Sequence, residues 1–127
     1  MLLSKVKNAI SYRLSQGKKL PEDEVLQDLI QEATIYVASM CDPAELVTDY
    51  TSSTNILKQI EGGLIIKEPE YPNLLNAEQH LQIDEILAYT VINYTCFLIS
   101  QDIKYKAIAD ESIAVYRTEY PRVQYEE

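Results

Sequence analysis

Tryptophan is absent from this chain of 127 residues, and histidine occurs once, as His80. A single histidine excludes a paired-histidine metal site and an HExxH motif, and it leaves no Cys–His dyad at a plausible spacing. The two cysteines, Cys41 and Cys96, lie in apolar helical sequence without CxxC spacing. We expect them to be small buried residues with reduced thiols in a cytosolic protein, and a disulfide is not expected. No catalytic, cofactor-binding or metal-binding residue is predicted, and no cofactor.

Long hydrophobic runs and glycine are also scarce. No segment approaches the roughly 18 apolar residues of a membrane span, so we expect no membrane association. Gly62-Gly63 follows a predicted helix and precedes a predicted strand, which reverses the order of a phosphate-binding loop. The carboxylates at Glu22-Asp23-Glu24 and Asp84-Glu85 stand at predicted helix starts, where capping explains them better than acid–base catalysis. The chain is not expected to be an enzyme.

Basic residues are few and unevenly placed. Residues 1–20 carry five basic side chains and no acid, whereas residues 21–127 carry 6 basic and 20 acidic side chains; the formal charges of +5 and −14 sum to −9. The acidic body argues against nucleic-acid binding, because phosphate contacts need a basic surface. The basic segment is interpreted as a helix that balances an acidic neighbour, with contact to nucleic acid as the alternative.

Hydrophobic periodicity predicts a mostly α fold, a small bundle of four to five helices with a short β element, in a single domain over residues 1–127. The predicted helices cover residues 2–16, residues from Pro21 to a stop at Asp42-Pro43, a buried central run from Ile83 to Ile99 capped by Asn76 or Asp84, and residues 103–120 capped by Asp102. The predicted core between the second and central helices comprises Leu29, Ile30, Val91, Tyr94 and Leu98. The predicted inner stripe of the last helix comprises Tyr105, Ile108, Ala109, Ile113 and Tyr116.

The stretch EGGLIIKEPEYP, residues 61–72, is typical of a strand with punctuation at both ends. Its neighbours are less clear: Ala44–Asp49 fits a helical turn or a strand, and Thr54–Glu61 is predicted to be a short helix. A lone strand leaves unpaired backbone groups along both edges. The partner is therefore either residues 46–52 of the same chain or a neighbouring subunit. We favour an intrachain pair whose outer edge serves assembly.

Tyrosine is abundant, with ten tyrosines against one phenylalanine. Tyrosine combines apolar area with a hydroxyl that tolerates water, which suits interfaces. The chain divides into a basic N-terminal helix (1–20), a helical core (21–117) and an extended C-terminal tail (118–127). The candidate interface residues lie on the predicted strand, the loop after it and the tail: Leu64, Ile65, Ile66, Lys67, Tyr71, Tyr120, Arg122, Val123 and Tyr125.

Four stretches carry a resemblance to a known family: EDEVLQDLIQEATIYVASMCD, NILKQIEGGLIIKEPEYP, IDEILAYTVINYTCFLISQD and the ending AVYRTEY. In this order they resemble the small head–tail adaptor (head-completion, connector) proteins of tailed bacteriophages, over about residues 20–120. The motifs LIIKEP and IDE are the most telling pieces.

The resemblance implies a helical bundle with a small β element that assembles as a homo-oligomeric ring, typically a dodecamer, at the head–tail interface of the virion. Its implied partners are the portal protein and a tail-side connector or stopper protein, and DNA would pass through the ring without specific binding. It also implies that the C-terminal segment docks on the portal. The alternative function is a small acidic monomeric binding or regulatory protein encoded by a phage.

Overall fold

The computed structural model describes residues 1–14, 19–49 and 55–120. Over these residues the chain forms four α-helices and a small antiparallel sheet of three strands, which confirms the predicted mostly α fold with a short β element. The helices are α1 (Leu3–Arg13), α2 (Asp23–Met40), α3 (Ala88–Ser100) and α4 (Ile103–Glu119). The strands are β1 (Val47–Asp49), β2 (Ile56–Gln59) and β3 (Leu64–Lys67).

Local sequence explains where several helices begin and end. Asp23 and Glu24 stand in the first turn of α2, where negative charge favours the helix dipole, and Pro43 follows its end. The Asp102 side chain accepts a hydrogen bond from the Lys104 backbone N–H at 3.1 Å, which confirms the predicted cap of α4. Gln101 adopts a left-handed conformation (φ 61°) between α3 and α4, so the chain reverses within two residues.

Helix α3 is the centre of the bundle. It packs against α1, α2 and α4, and its residues from Thr90 to Cys96 are all buried. The predicted buried central helix is confirmed, but its predicted start is wrong. Residues Glu85–Leu87 form a single 3₁₀ turn, and the α-helix begins only at Ala88. The Asp84 side chain does not cap this turn, because it accepts hydrogen bonds from a different part of the chain.

The predicted core is partly confirmed. Ile30 and Val91 are fully buried and Tyr94 is 9% exposed, whereas Leu29 and Leu98 are only half-buried. On α4, Ala109, Ile113 and Tyr116 face inward as predicted and Tyr105 is half-buried. Ile108 is exposed and its predicted inward position is wrong, because α4 covers α3 with a narrower stripe than its apolar residues suggest.

The sheet order is β1-β3-β2, so β3 is the central strand. Val47 of β1 stands opposite Ile66 of β3, which confirms pairing within the predicted partner segment 46–52 for the described residues 47–49. The short helix predicted over Thr54–Glu61 is wrong, because Ile56–Gln59 is strand β2. Gly62 and Gly63 adopt left-handed conformations (φ 82° and 76°), which reverse the chain and bring β2 back against β3.

The sheet has its own small hydrophobic cluster, separate from the core of the bundle. Ala38 from α2, Leu46 and Ile66 are completely buried there. Val47, Leu57 and Ile60 pack around them. The last turns of α2 therefore anchor the sheet to the bundle through apolar contacts.

Candidate interaction surfaces

The strand β3 does not offer the free edge that its sequence suggests. It is hydrogen-bonded to β1 along one side and to β2 along the other, so the edges of the sheet belong to those two strands. Ile65 and Ile66 are buried, and Leu64 and Lys67 are half-buried. The prediction that β3 has a free outer edge is wrong. Its second side pairs with β2, which lies in the segment that was predicted to be a short helix.

The loop from Glu68 to Asp84 has no helix or strand of its own, and α2 holds its first half in place. Gln31 on α2 donates to the Pro69 carbonyl at 2.9 Å, and Gln27 accepts from the Leu74 backbone N–H at 2.7 Å. The predicted interface residue Tyr71 is half-exposed and donates its hydroxyl hydrogen bond to Asp28. These hydrogen bonds fix the first half of the loop against α2.

Residues 118 and 119, which were predicted to belong to the extended tail, lie in helix α4. Helix α4 continues through Glu119, and the Tyr120 ring packs at a tilt against the Tyr116 ring, with centroids 4.8 Å apart, while Tyr120 remains 54% exposed. The predicted interface residues Arg122, Val123 and Tyr125 lie outside the described residues. Tyr120 is the tail candidate that the structure describes.

A groove runs between the 3₁₀ turn at Glu85–Leu87 and α4, with a volume of about 310 Å³. We call it the α4 groove; its exposed lining comprises the apolar side chains Ile86, Ile108, Val115 and Tyr120 and the acids Glu111 and Glu119. Ile86 is 62% exposed and Val115 is 55% exposed. Clustered apolar side chains that remain in water are typical of interaction sites.

The base of the α4 groove is held by a polar cluster around Asp84. Its carboxylate accepts hydrogen bonds from the Tyr116 hydroxyl at 2.6 Å and from the backbone N–H groups of Ala44 and Glu45 at 2.9 and 2.7 Å. Burial, followed by the hydrogen bond to Asp84, raises the pKa of Tyr116. This cluster ties α4, the 3₁₀ turn and the segment before β1 to one carboxylate, so the groove has a fixed floor.

The sequence signal for this groove is weak. Ile86 belongs to a run that is apolar almost all round, so nothing local marks it as exposed. The apolar stripe that was predicted to face inward on α4 includes Ile108, which lies in the groove. Val115 is the useful signal, because it is a large apolar residue outside that inner stripe.

Both cysteines are buried. Burial raises the pKa of the Cys41 thiol to about 12 and that of the Cys96 thiol to about 11, which makes both poor nucleophiles near neutral pH.

Within residues 1–14, 19–49 and 55–120, no group of three or more His, Cys, Asp or Glu side chains is placed to hold a metal ion. Among the same residues, no helix is both long and apolar enough to cross a membrane.

These thiols predict a loss of stability in alkali. Their pKa is raised on folding from an ordinary value of 9.0. The contribution of the two thiols to the free energy of unfolding is therefore complete below about pH 9. It is lost as the pH rises through the pKa values of the folded state, because the unfolded state then binds fewer protons than the folded state. Urea unfolding at about pH 8 and about pH 10.5 should show a lower free energy of unfolding at the higher pH. The double variant Cys41→Ala/Cys96→Ala should lose less between the two conditions; an equal loss would contradict the assignment to the thiols.

No protein-family model, curated protein or solved structure matches this chain.

Proposed function

We propose that this chain is a structural subunit of the head–tail connector ring of a tailed bacteriophage, joining the portal to the tail and leaving a channel for DNA. Four sequence stretches resemble adaptor proteins, and in this proposal the chain has a structural role and no catalytic one. The observation that carries it is the α4 groove, which presents Ile86, Val115 and Tyr120 to solvent on a well-packed helical body.

The α4 groove supports assembly for an energetic reason. Burying apolar surface contributes about 25 cal/mol per Å², so a partner that covers these side chains gains free energy that the isolated subunit forgoes. The groove is preformed, because its floor residues Leu87 and Tyr116 are buried and Asp84 fixes the turn beside them. A preformed surface loses little conformational entropy on binding.

The charge of the chain fits a channel through which DNA slides. Residues 21–127 have a formal charge of −14. A ring of such subunits repels the phosphate backbone, so the duplex is not held in place. We expect no stable shift of duplex DNA in a gel assay at about 0.15 M salt. A tight shift under these conditions would contradict the acidic-channel interpretation.

The direct test combines the purified chain with the portal protein of the same phage. Mass measurement after size exclusion and electron microscopy should show a ring, typically a dodecamer, bound to the portal. The portal alone and the chain alone are the controls. A chain that remains monomeric in both settings and binds no portal would overturn the proposal and favour the small acidic monomeric binding or regulatory protein.

The role of the C-terminal tail has its own test. Deleting residues 121–127 removes Arg122, Val123 and Tyr125 but retains all of α4 and the contact between Tyr116 and Tyr120. We expect an unchanged thermal melt together with a loss of portal binding in a pull-down and of head completion in an infectivity complementation assay. A truncated protein that still binds portal and restores infectivity would place the portal contact elsewhere.

A further inference from the structure

The dimensions of the α4 groove limit what can occupy it. Its volume of about 310 Å³ lies at the small end of the range for ligand sites, about 300–1,000 Å³, and it suits one or two large side chains. Its lining is mainly apolar, but Glu111 and Glu119 are exposed along α4 beside Val115. A fitting partner therefore presents an apolar or aromatic anchor flanked by basic charge.

The outward face of α1 has these properties. Tyr12 is 80% exposed there, and Lys5 is exposed about two turns earlier on the same side of the helix. Within α1, Lys5, Lys7 and Arg13 are basic and no residue is acidic. Residues 1–20 have a formal charge of +5, whereas residues 21–127 have a formal charge of −14. The basic excess of the chain therefore lies in its first 20 residues.

We propose that the exposed face of α1, with Tyr12 as its anchor, docks into the α4 groove of a second copy of this chain. The two surfaces share no residue, so the contact is heterologous and each subunit retains one free groove and one free α1 face. Such a contact builds closed rings or open filaments. Closure into a ring is the part of the inference that rests on the proposed function.

Charge explains why the occupant is another copy. Two bodies as acidic as residues 21–127 repel each other wherever they meet, except where the basic segment of one faces acids of the other. Lys5 opposite Glu111 or Glu119 provides such a contact, while Tyr12 contacts the apolar lining. The association should therefore weaken as the salt concentration rises.

Two single substitutions test the contact because each disables one surface. Tyr12→Ser removes the anchor and Val115→Asp places a charge in the groove, and both positions are exposed, so the fold should tolerate them. Each variant alone should self-associate about tenfold more weakly than the parent chain, or more weakly still. Leu75→Ser is the matched control, because Leu75 is 87% exposed but belongs to neither surface.

Mixing the two variants gives the decisive result. The Val115→Asp copy still has an intact α1 face, and the Tyr12→Ser copy still has an intact groove. An equimolar mixture should therefore form 1:1 heterodimers that do not extend, seen by sedimentation or mass photometry. A mixture that remains monomeric, or single variants that assemble like the parent chain, would overturn the inference.

A charge exchange tests the same contact independently. Lys5→Glu and Glu111→Lys should each weaken association, and the two changes together in one chain should restore part of it. The outcome also separates this inference from the proposed function. Rings that form on the portal with every variant refute the docking of α1 into the groove but retain the connector proposal. Self-association that depends on Tyr12 and Val115, in a chain that binds no portal, would support the docking of α1 into the groove and refute the connector proposal.

Discussion

Replacing Ile30 with alanine is expected to lower the free energy of unfolding by about 2–5 kcal/mol. Ile30 is fully buried in the middle of α2, within the cluster that also contains Val91 of α3. The substitution removes three carbon atoms from a close-packed interior, and the lost transfer free energy adds to the cost of the cavity. Urea denaturation followed by circular dichroism would measure the change.

Two positions on the same helix are matched controls. Leu29 is half-buried, so Leu29→Ala should cost clearly less than Ile30→Ala, although its helical position is adjacent. Val25 is 49% exposed, and Val25→Ala should change the free energy of unfolding by no more than about 0.5 kcal/mol. If Leu29→Ala were the more damaging of the two core changes, the face of α2 assigned to α3 would be wrong.

Replacing Asp84 with alanine is expected to cost about 1–3 kcal/mol, because several donors lose their acceptor together. The Tyr116 hydroxyl and the backbone N–H groups of Ala44 and Glu45 all bond to this carboxylate. The Tyr116 hydroxyl is partly buried, so it cannot replace the bond fully with water. Urea unfolding gives the size of the loss, and hydrogen exchange at Ala44 and Glu45 should become faster.

Conservative variants separate the contributions to this cluster. Asp84→Asn retains one side-chain oxygen and should recover part of the stability lost in Asp84→Ala. Tyr116→Phe removes one hydroxyl and leaves the buried ring, so it should cost about 0.5–1.5 kcal/mol. Unchanged stability and unchanged hydrogen exchange in Asp84→Ala would mean that the carboxylate does not organise the floor of the α4 groove.

Part of the candidate surface could be predicted from the sequence. Two of the tyrosines predicted to lie at an interface, Tyr71 and Tyr120, are about half exposed, and their contact with a partner stays a prediction. The α4 groove could not be predicted, since its walls come from Ile86 and from α4 residues more than twenty positions later. Their proximity depends on how α4 returns along α3, which no local pattern encodes.

The sequence by itself determined the elements whose signals are local. The apolar run of α3 predicts burial, Asp102 caps α4, and the acids after Pro21 favour the start of α2. Such features depend on residues within a few turns of one another, so periodicity and capping are sufficient to predict them.

Only the tertiary structure decided the identity of β2 and the role of Asp84. The segment Ile56–Gln59 has apolar spacing compatible with a short helix, but pairing with β3 and the left-handed turn at Gly62-Gly63 favour a strand. Asp84 has the sequence context of a helix cap, yet its hydrogen bonds go to Ala44, Glu45 and Tyr116. In both cases the deciding free energy comes from partners distant in the chain, and a short segment's own preference is too weak to resist them.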